Sequence, residues 1–141
     1  MKDTQNVINL TTGDVTYAIR NEFGEEIGAI RFNPADIDIV RRCDAVAKWF
    51  SKVDIPKNPT LEQVYEFSDK VAEQFDYLLN RKVSGEIFKV CNPLTLLSDG
   101  TRFYVGVLNA VMEILTKTVH ERAEKSAERV AEAVAELTEN E

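Results

Sequence analysis

The sequence predicts an α+β protein that is predominantly helical. A small N-terminal antiparallel β-hairpin or meander is expected to pack on a helical bundle that ends in one long helix. Three observations carry this prediction. Residues 15–20 alternate with the period of a strand, apolar residues recur every three or four positions within 37–53 and 61–78, and residues 103–137 contain no proline. The 141 residues suit a single domain over 1–141, with a charged helix projecting at 120–141.

The predicted β-meander covers residues 7–32. A first apolar run at residues 7–10 precedes a glycine turn, and residues 15–20 then alternate with the period of a half-buried strand. Gly24 suits the left-handed conformation of a hairpin loop, after which Ile30 and Phe32 share one face. Because two or three strands are marginal alone in water, we expect this sheet to lie on the helices that follow.

The first helix is predicted to open at Asn33, with Pro34 at its first position and acidic side chains in its first turn. Asp36 and Asp38 form an Asp-x-Asp pair of a kind that can hold a divalent metal. Residues two apart on a helix point in different directions, so interaction with the helix dipole is favoured over metal binding. The predicted apolar face consists of Ile37, Val40, Cys43, Val46, Ala47, Phe50 and Val53.

A second helix is expected to start with Asn58 or Thr60 as its cap and to run to about residue 81, and Thr60 with Gln63 also fits a capping box. Its predicted buried stripe consists of Leu61, Val64, Ser68, Val71, Phe75 and Leu78. A brief third helix at residues 84–91 is expected to end before Pro93.

The long helix is predicted to begin near Arg102 and to have two different halves. Its apolar series is Leu108, Met112, Leu115, Val119, Ala123, Ala127, Val130, Val134 and Leu137. Bulky residues widen the first half, which we expect to be core, whereas beyond His120 a narrow stripe runs between charges. An isolated helix of this length is only marginally stable in water, which favours an interface over a solvated tail. The candidate protein-interface residues are Ala123, Ala127, Val130, Val134 and Leu137.

Composition and charge narrow the class of partner. The formal charge is −7, and no cluster of basic residues could neutralise a nucleic-acid backbone, so we expect no nucleic-acid binding. No apolar run of membrane-spanning length occurs, so we expect a cytosolic protein without a membrane partner. Cys43 and Cys91 fall within apolar patterns and are interpreted as reduced core thiols rather than a disulfide.

No motif for catalysis, cofactor binding or metal binding appears. The single His120 lies among charged residues and has no second His or suitably spaced Cys to complete a metal site. The serines lack the Gly-x-Ser-x-Gly elbow, and the six glycines form no phosphate loop. We therefore expect a protein that is not an enzyme and that uses no cofactor.

One family resemblance suggests a specific function. The segments Ile30-Arg31-Phe32-Asn33-Pro34-Ala35-Asp36, Cys91-Asn92-Pro93-Leu94 and Ser98-Asp99-Gly100, followed by a long charged helix, resemble siphophage tail assembly chaperones. The similarity is one of pattern and covers roughly residues 25–135. It implies a non-enzymatic helical homo-oligomer in the host cytoplasm that binds the tape measure protein or the tail tube protein during assembly and is absent from the virion. It implies no site residue position by position.

The sequence is also compatible with two other functions. A phage-encoded acidic inhibitor of a host defence protein would occupy a basic channel, which requires carboxylates on one rigid face. Here basic residues are interspersed among the acids except in the last ten residues. A structural adaptor of the virion is the third possibility.

Overall fold

The computed structural model describes residues 6–54 and 56–139. It confirms a small α+β fold in which an N-terminal antiparallel hairpin precedes the helices. The elements are β1 (Val15–Arg20), β2 (Glu26–Phe32), α1 (Ile39–Lys52), α2 (Leu61–Leu79), α3 (Ser84–Ile87) and α4 (Phe103–Glu139).

The sheet consists of β1 and β2 alone. Val15 pairs with Phe32, and the antiparallel register continues to a bulge between Ile19 and Arg20. The connecting loop is closed by the Asn21 side chain, whose Oδ1 accepts from two backbone N–H groups at 3.0 Å. Gly24 has φ +79°, as predicted for the hairpin loop. Ile30 and Phe32 are both buried, so the prediction of their shared inner face is confirmed.

Residues 7–10, predicted as the first run of the meander, lie outside any strand. The chain just before β1 is instead held beside the end of β2. Asn33 Nδ2 donates to the carbonyl of Thr12 at 2.7 Å, and Arg81 forms an ion pair with Asp14. A turn back along β1 would have used Thr12 and Asp14, but both are bound to other parts of the chain. The predicted meander is therefore a two-stranded hairpin.

Helix α1 begins at Ile39 rather than at Asn33. Asn33 Oδ1 accepts from the N–H of Ala35, and Asp36 Oδ1 accepts from the N–H of Asp38, which stabilises turns in place of a first helical turn. The buried face of the helix also differs in part from the predicted one. Ile39 is buried, while three residues of the predicted apolar face are exposed: Ile37, Val40 and Ala47.

Arg42 joins α1 to α2. Its side chain is largely buried, although Arg42 is not among the residues of the predicted apolar face. Its Nε donates to the carbonyl of Leu78 at 2.8 Å, and its Nη2 pairs with the carboxylate of Asp36. Both of these roles belong to Asp36, which pairs with Arg42 and accepts from the N–H of Asp38. The first turn of α1 contains no acidic residue, so the predicted interaction of this pair with the helix dipole is wrong.

Helix α2 follows its prediction closely. Thr60 Oγ1 accepts from the N–H of Gln63, and Gln63 Oε1 accepts from the N–H of Thr60, so the capping box is confirmed. Ser68, Val71, Phe75 and Leu78 are buried, whereas Leu61 in the first turn is exposed.

Helix α3 is a single turn wedged between α2 and β2. Asp76 Oδ1 accepts from the N–H groups of Val83 and Ser84, both at 2.8 Å, and its Oδ2 accepts from Ser84 Oγ at 2.9 Å. Gly28 of β2 approaches the carbonyl of Ile87 so closely that an added Cβ would lie 2.6 Å from it.

One hydrophobic core joins β2 to all four helices. Cys43 and Cys91 pack half-buried at its edge as free thiols. The buried core residues are Ile30, Phe32, Ile39, Val46, Val71, Phe75, Leu78, Leu79, Val83, Ile87, Phe103, Val107, Val111 and Leu115.

Candidate protein-binding site on the long helix

The start of α4 is fixed by backbone hydrogen bonds to the preceding segment. The N–H of Phe103 donates to the carbonyl of Thr95 at 2.7 Å, and the N–H of Tyr104 donates to the carbonyl of Pro93 at 2.9 Å. Arg102 Nη1 adds a bond to the carbonyl of Leu94 at 2.9 Å. These contacts set the rotation of the helix, so that the Phe103 ring enters the core.

The core-facing stripe of α4 differs from the predicted one by about one residue. Phe103, Val107, Val111 and Leu115 are buried at four-residue spacing. Leu115 is 7% exposed and is the last buried residue of the helix among those described, whereas Val119, predicted to be core, is 60% exposed. The predicted series started from Leu108, which is only half buried. The core therefore ends one turn earlier than expected.

The distal half of α4 presents the candidate interface. The helix continues for 24 residues past Leu115, about 36 Å at 1.5 Å per residue. Val130 is 61% exposed, Val134 is 56% exposed and Ala127 is also exposed. The helix places these three side chains on one stripe, as their spacing predicted. Ala123 and Leu137 belong to the same helix, but their side chains lie outside the described residues.

The distal stripe does not simply continue the core-facing stripe. On a helix with 3.6 residues per turn, Ala127, Val130 and Val134 lie about 150° around the axis from the stripe of Phe103 to Leu115. A protein that covered the distal stripe would therefore approach from the side of the helix opposite the core.

The charge of the distal half becomes more acidic along the helix. His120 Nε2 lies 3.0 Å from Glu124 Oε1, but both side chains are well exposed, so this contact adds little stability. From Val130 onward the sequence contains four glutamates and no Lys or Arg. A complementary surface would be apolar along its centre, with neutral or basic residues beside the glutamates.

A second surface was not anticipated from the sequence. A groove of about 870 Å³ lies between β1, the segment 90–99 and the first half of α4. Apolar side chains that line it include Tyr17, Ile19, Val107, Val111 and Ile114. Three segments distant in sequence form it, so no local pattern could have revealed it. A smaller cavity of about 570 Å³ lies where the end of α1, the start of α2 and Tyr104 meet.

The described residues show no arrangement suited to catalysis through a metal. Within residues 6–54 and 56–139, no group of three or more His, Cys, Asp or Glu side chains could hold a metal ion. Burial raises the pKa of the Cys43 thiol, which favours the neutral thiol over the reactive thiolate.

The fold and these surfaces define a small α+β protein whose long C-terminal helix is core in one half and exposed in the other. None of the helices in the described part of the chain has the length and apolarity needed to cross a membrane. Comparison with protein-family models, with curated proteins and with solved structures finds no match.

Proposed function

We propose that this is a non-enzymatic binding protein that presents the distal half of α4 to another protein. The observation that carries the proposal is the exposure of Val130 and Val134 on a helix that extends 24 residues past the buried Leu115. An amphipathic helix of this kind docks its apolar stripe into a groove of a partner. Burial of one such valine is worth about 1.5–3 kcal/mol, so a few of them supply a useful affinity.

The specific role we propose is that of a phage tail assembly chaperone in the host cytoplasm. The resemblance of the segments around Asn33, Asn92 and Asp99 to that group supports this role and points to the tape measure protein or the tail tube protein as partner. The alternative of an acidic inhibitor has less support, because Lys125 and Arg129 lie among the acids of the same exposed helix.

A matched pair of substitutions tests the site. Val130→Asp places a carboxylate within the stripe, whereas Ala135→Asp adds the same charge at an exposed position about 110° away from it. Each full-length variant is co-expressed with tagged tape measure protein and, separately, with tagged tail tube protein, and affinities of the co-purified pairs are then measured. Circular dichroism confirms that both variants keep the helical content of the wild type.

We expect Val130→Asp to weaken binding at least about tenfold, which corresponds to about 1.4 kcal/mol. Ala135→Asp should bind like the wild type. Equal binding by wild type and Val130→Asp would refute the role of the stripe. Failure of the wild type to bind either tail protein would refute the proposed chaperone role.

A further inference from the structure

The outer edge of β1 is open. Among the described residues, β1 pairs only with β2, and the sheet contains these two strands alone. The other side of β2 is closed, because α3 packs against it and the Ile87 carbonyl lies against Gly28. A row of unpaired backbone N–H and C=O groups along an edge strand can accept a further strand.

The groove of about 870 Å³ reaches this edge from the β2 side, where Ile27 and Ile30 also line it. Four consecutive residues of β1, 17–20, line it, including the exposed Ala18 and Arg20. Its floor includes Val107, Ala110, Val111 and Ile114 of α4. A strand added beside β1 would cover α4 here and would point every second side chain into the groove.

The chain also contains an unpaired segment with the pattern that this position requires. Ile8 is 86% exposed and Leu10 is 80% exposed, and neither lies in a strand. Residues two apart in an extended segment share one face, so Ile8 and Leu10 would both point inward while Val7 and Asn9 point outward. The apolar pattern of residues 7–10 predicted a strand, but in the hairpin these residues pair with no other strand.

The segment cannot readily reach the edge of its own β1. The Thr12 carbonyl is bound by Asn33, which follows β2, and Asp14 is bound by Arg81, which follows α2. From the β2 side to a position beyond β1 is two strand spacings, or about 10 Å. Two residues span at most about 7 Å, so Leu10 does not reach that position while the Thr12 bond is kept.

We propose that residues 7–10 of one copy add a strand to the outer edge of β1 in a second copy, with Ile8 and Leu10 filling its groove. The exchange converts two marginal two-stranded sheets into sheets of three strands over α4. It is independent of the distal stripe of α4 and of any tail protein.

Native Cys91 provides a direct test, because it is a free thiol that lines the groove. Ile8→Cys and Leu10→Cys are each made in the full chain with Cys43→Ser, oxidised mildly, and separated on a non-reducing gel. Each is repeated with Cys91→Ser, and Asn9→Cys serves as the matched control on the opposite face. We expect Ile8→Cys or Leu10→Cys, or both, to form disulfide-linked dimers or longer chains, and these products should be absent when Cys91 is replaced. Asn9→Cys should form at least about fivefold less of the linked product.

Light scattering on the full-length protein supplies a second readout. The wild type should show a multiple of the 15.9 kDa chain mass. Ile8→Asp should return it to the monomer, and Asn9→Asp should leave it unchanged. Because Ile8 is exposed in the single chain, its substitution should not impair folding.

Three results would each overturn the proposal. An internal disulfide in a monomer would show that the segment occupies its own groove. A wild type that remains at 15.9 kDa, with no intermolecular link, would show that the edge stays open or serves a different protein. An oligomer that persists in Ile8→Asp but is lost in Val130→Asp would assign the association to α4.

Discussion

Arg81 donates two hydrogen bonds to the carboxylate of Asp14, at 2.8 and 3.2 Å, and thereby ties the chain before β1 to the end of α2. Asn80, which precedes Arg81, caps α2 in the left-handed conformation with φ 53°. The hydrogen bonds from Arg81 hold the pKa of Asp14 below its ordinary value, and the same contact raises the pKa of Arg81. The contact between Asp14 and Arg81 therefore depends on an ionised carboxylate, whereas the bond from Asn33 to the Thr12 carbonyl does not.

This ion pair predicts a pH-dependent contribution to stability. Because the pKa of Asp14 is lower in the folded state than its ordinary 3.8, the contribution is fully present above that value and is lost as the pH falls through the folded-state pKa. We expect the wild type to unfold at higher urea than Asp14→Asn at about pH 6, and the difference to shrink as the pH is lowered below 3.8. Asp69→Asn, an exposed change on α2, is the control; a difference that stays the same as the pH falls would contradict the prediction.

Leu115 and Val119 mark the end of the core on α4. They lie one turn apart but are 7% and 60% exposed. Leu115→Asp would bury a carboxylate among apolar side chains, and we expect it to lower the free energy of unfolding by about 2–4 kcal/mol. Val119→Asp should change it by less than about 0.5 kcal/mol. Urea denaturation followed by circular dichroism measures both, and equal losses in the two variants would place the end of the core further along the helix.

Asp76 satisfies three hydrogen-bond donors at the start of α3. Asp76→Ala would leave the N–H groups of Val83 and Ser84 without this acceptor, and we expect a loss of about 1–3 kcal/mol in the free energy of unfolding. Asp69→Ala, on an exposed position of the same helix, controls for the loss of one negative charge. Thermal unfolding of the two variants measures this loss. If Asp69→Ala lowered the free energy of unfolding as much as Asp76→Ala, the effect could not be assigned to the hydrogen bonds of Asp76.

The contact between β2 and α3 leaves no space for a side chain at Gly28. An added Cβ would lie 2.6 Å from the carbonyl oxygen of Ile87 and 3.1 Å from that of Glu86, both of them backbone atoms that cannot rotate away. We expect Gly28→Ala to destabilise the fold by about 1–3 kcal/mol.

Gly85→Ala is the matched control in α3, because a Cβ there meets nothing within 4 Å. It should leave stability unchanged or raise it by up to about 1 kcal/mol, since alanine favours helix over glycine. Chemical denaturation compares the two variants, and a Gly28→Ala protein as stable as the wild type would show that α3 can move away from the sheet.

Local signals predicted some elements almost completely. The capping box at Thr60 and Gln63 can be recognised from neighbouring residues alone, and so can the long helix α4, whose segment contains no proline. The start of α1 was predicted wrongly although its signals are local too. Asn33 and Asp36 suit both helix caps and side-chain turns, and here the turns prevail.

Long-range contacts explain the remaining differences. The rotation of α4 depends on the bonds that Phe103 and Tyr104 make to residues 93–95. A difference of about one residue, which is about 100° around the helix axis, places Val107 rather than Leu108 on the buried stripe. The failure of residues 7–10 to pair depends on Asn33 and Arg81, distant in sequence. The stripe of Ala127, Val130 and Val134 followed from spacing alone, because one uninterrupted helix carries all three.

The continuity of α4 through Leu115 has a consequence for any protein that binds its far end. The first turn of a helix is the costly one, because several residues must be ordered before a single hydrogen bond forms, whereas each further residue adds a bond of its own. In this chain the core already holds the first turns of α4, so the turns around Val130 form by elongation from a nucleus that the fold supplies. A partner therefore need not bear the free-energy cost of helix nucleation when it binds.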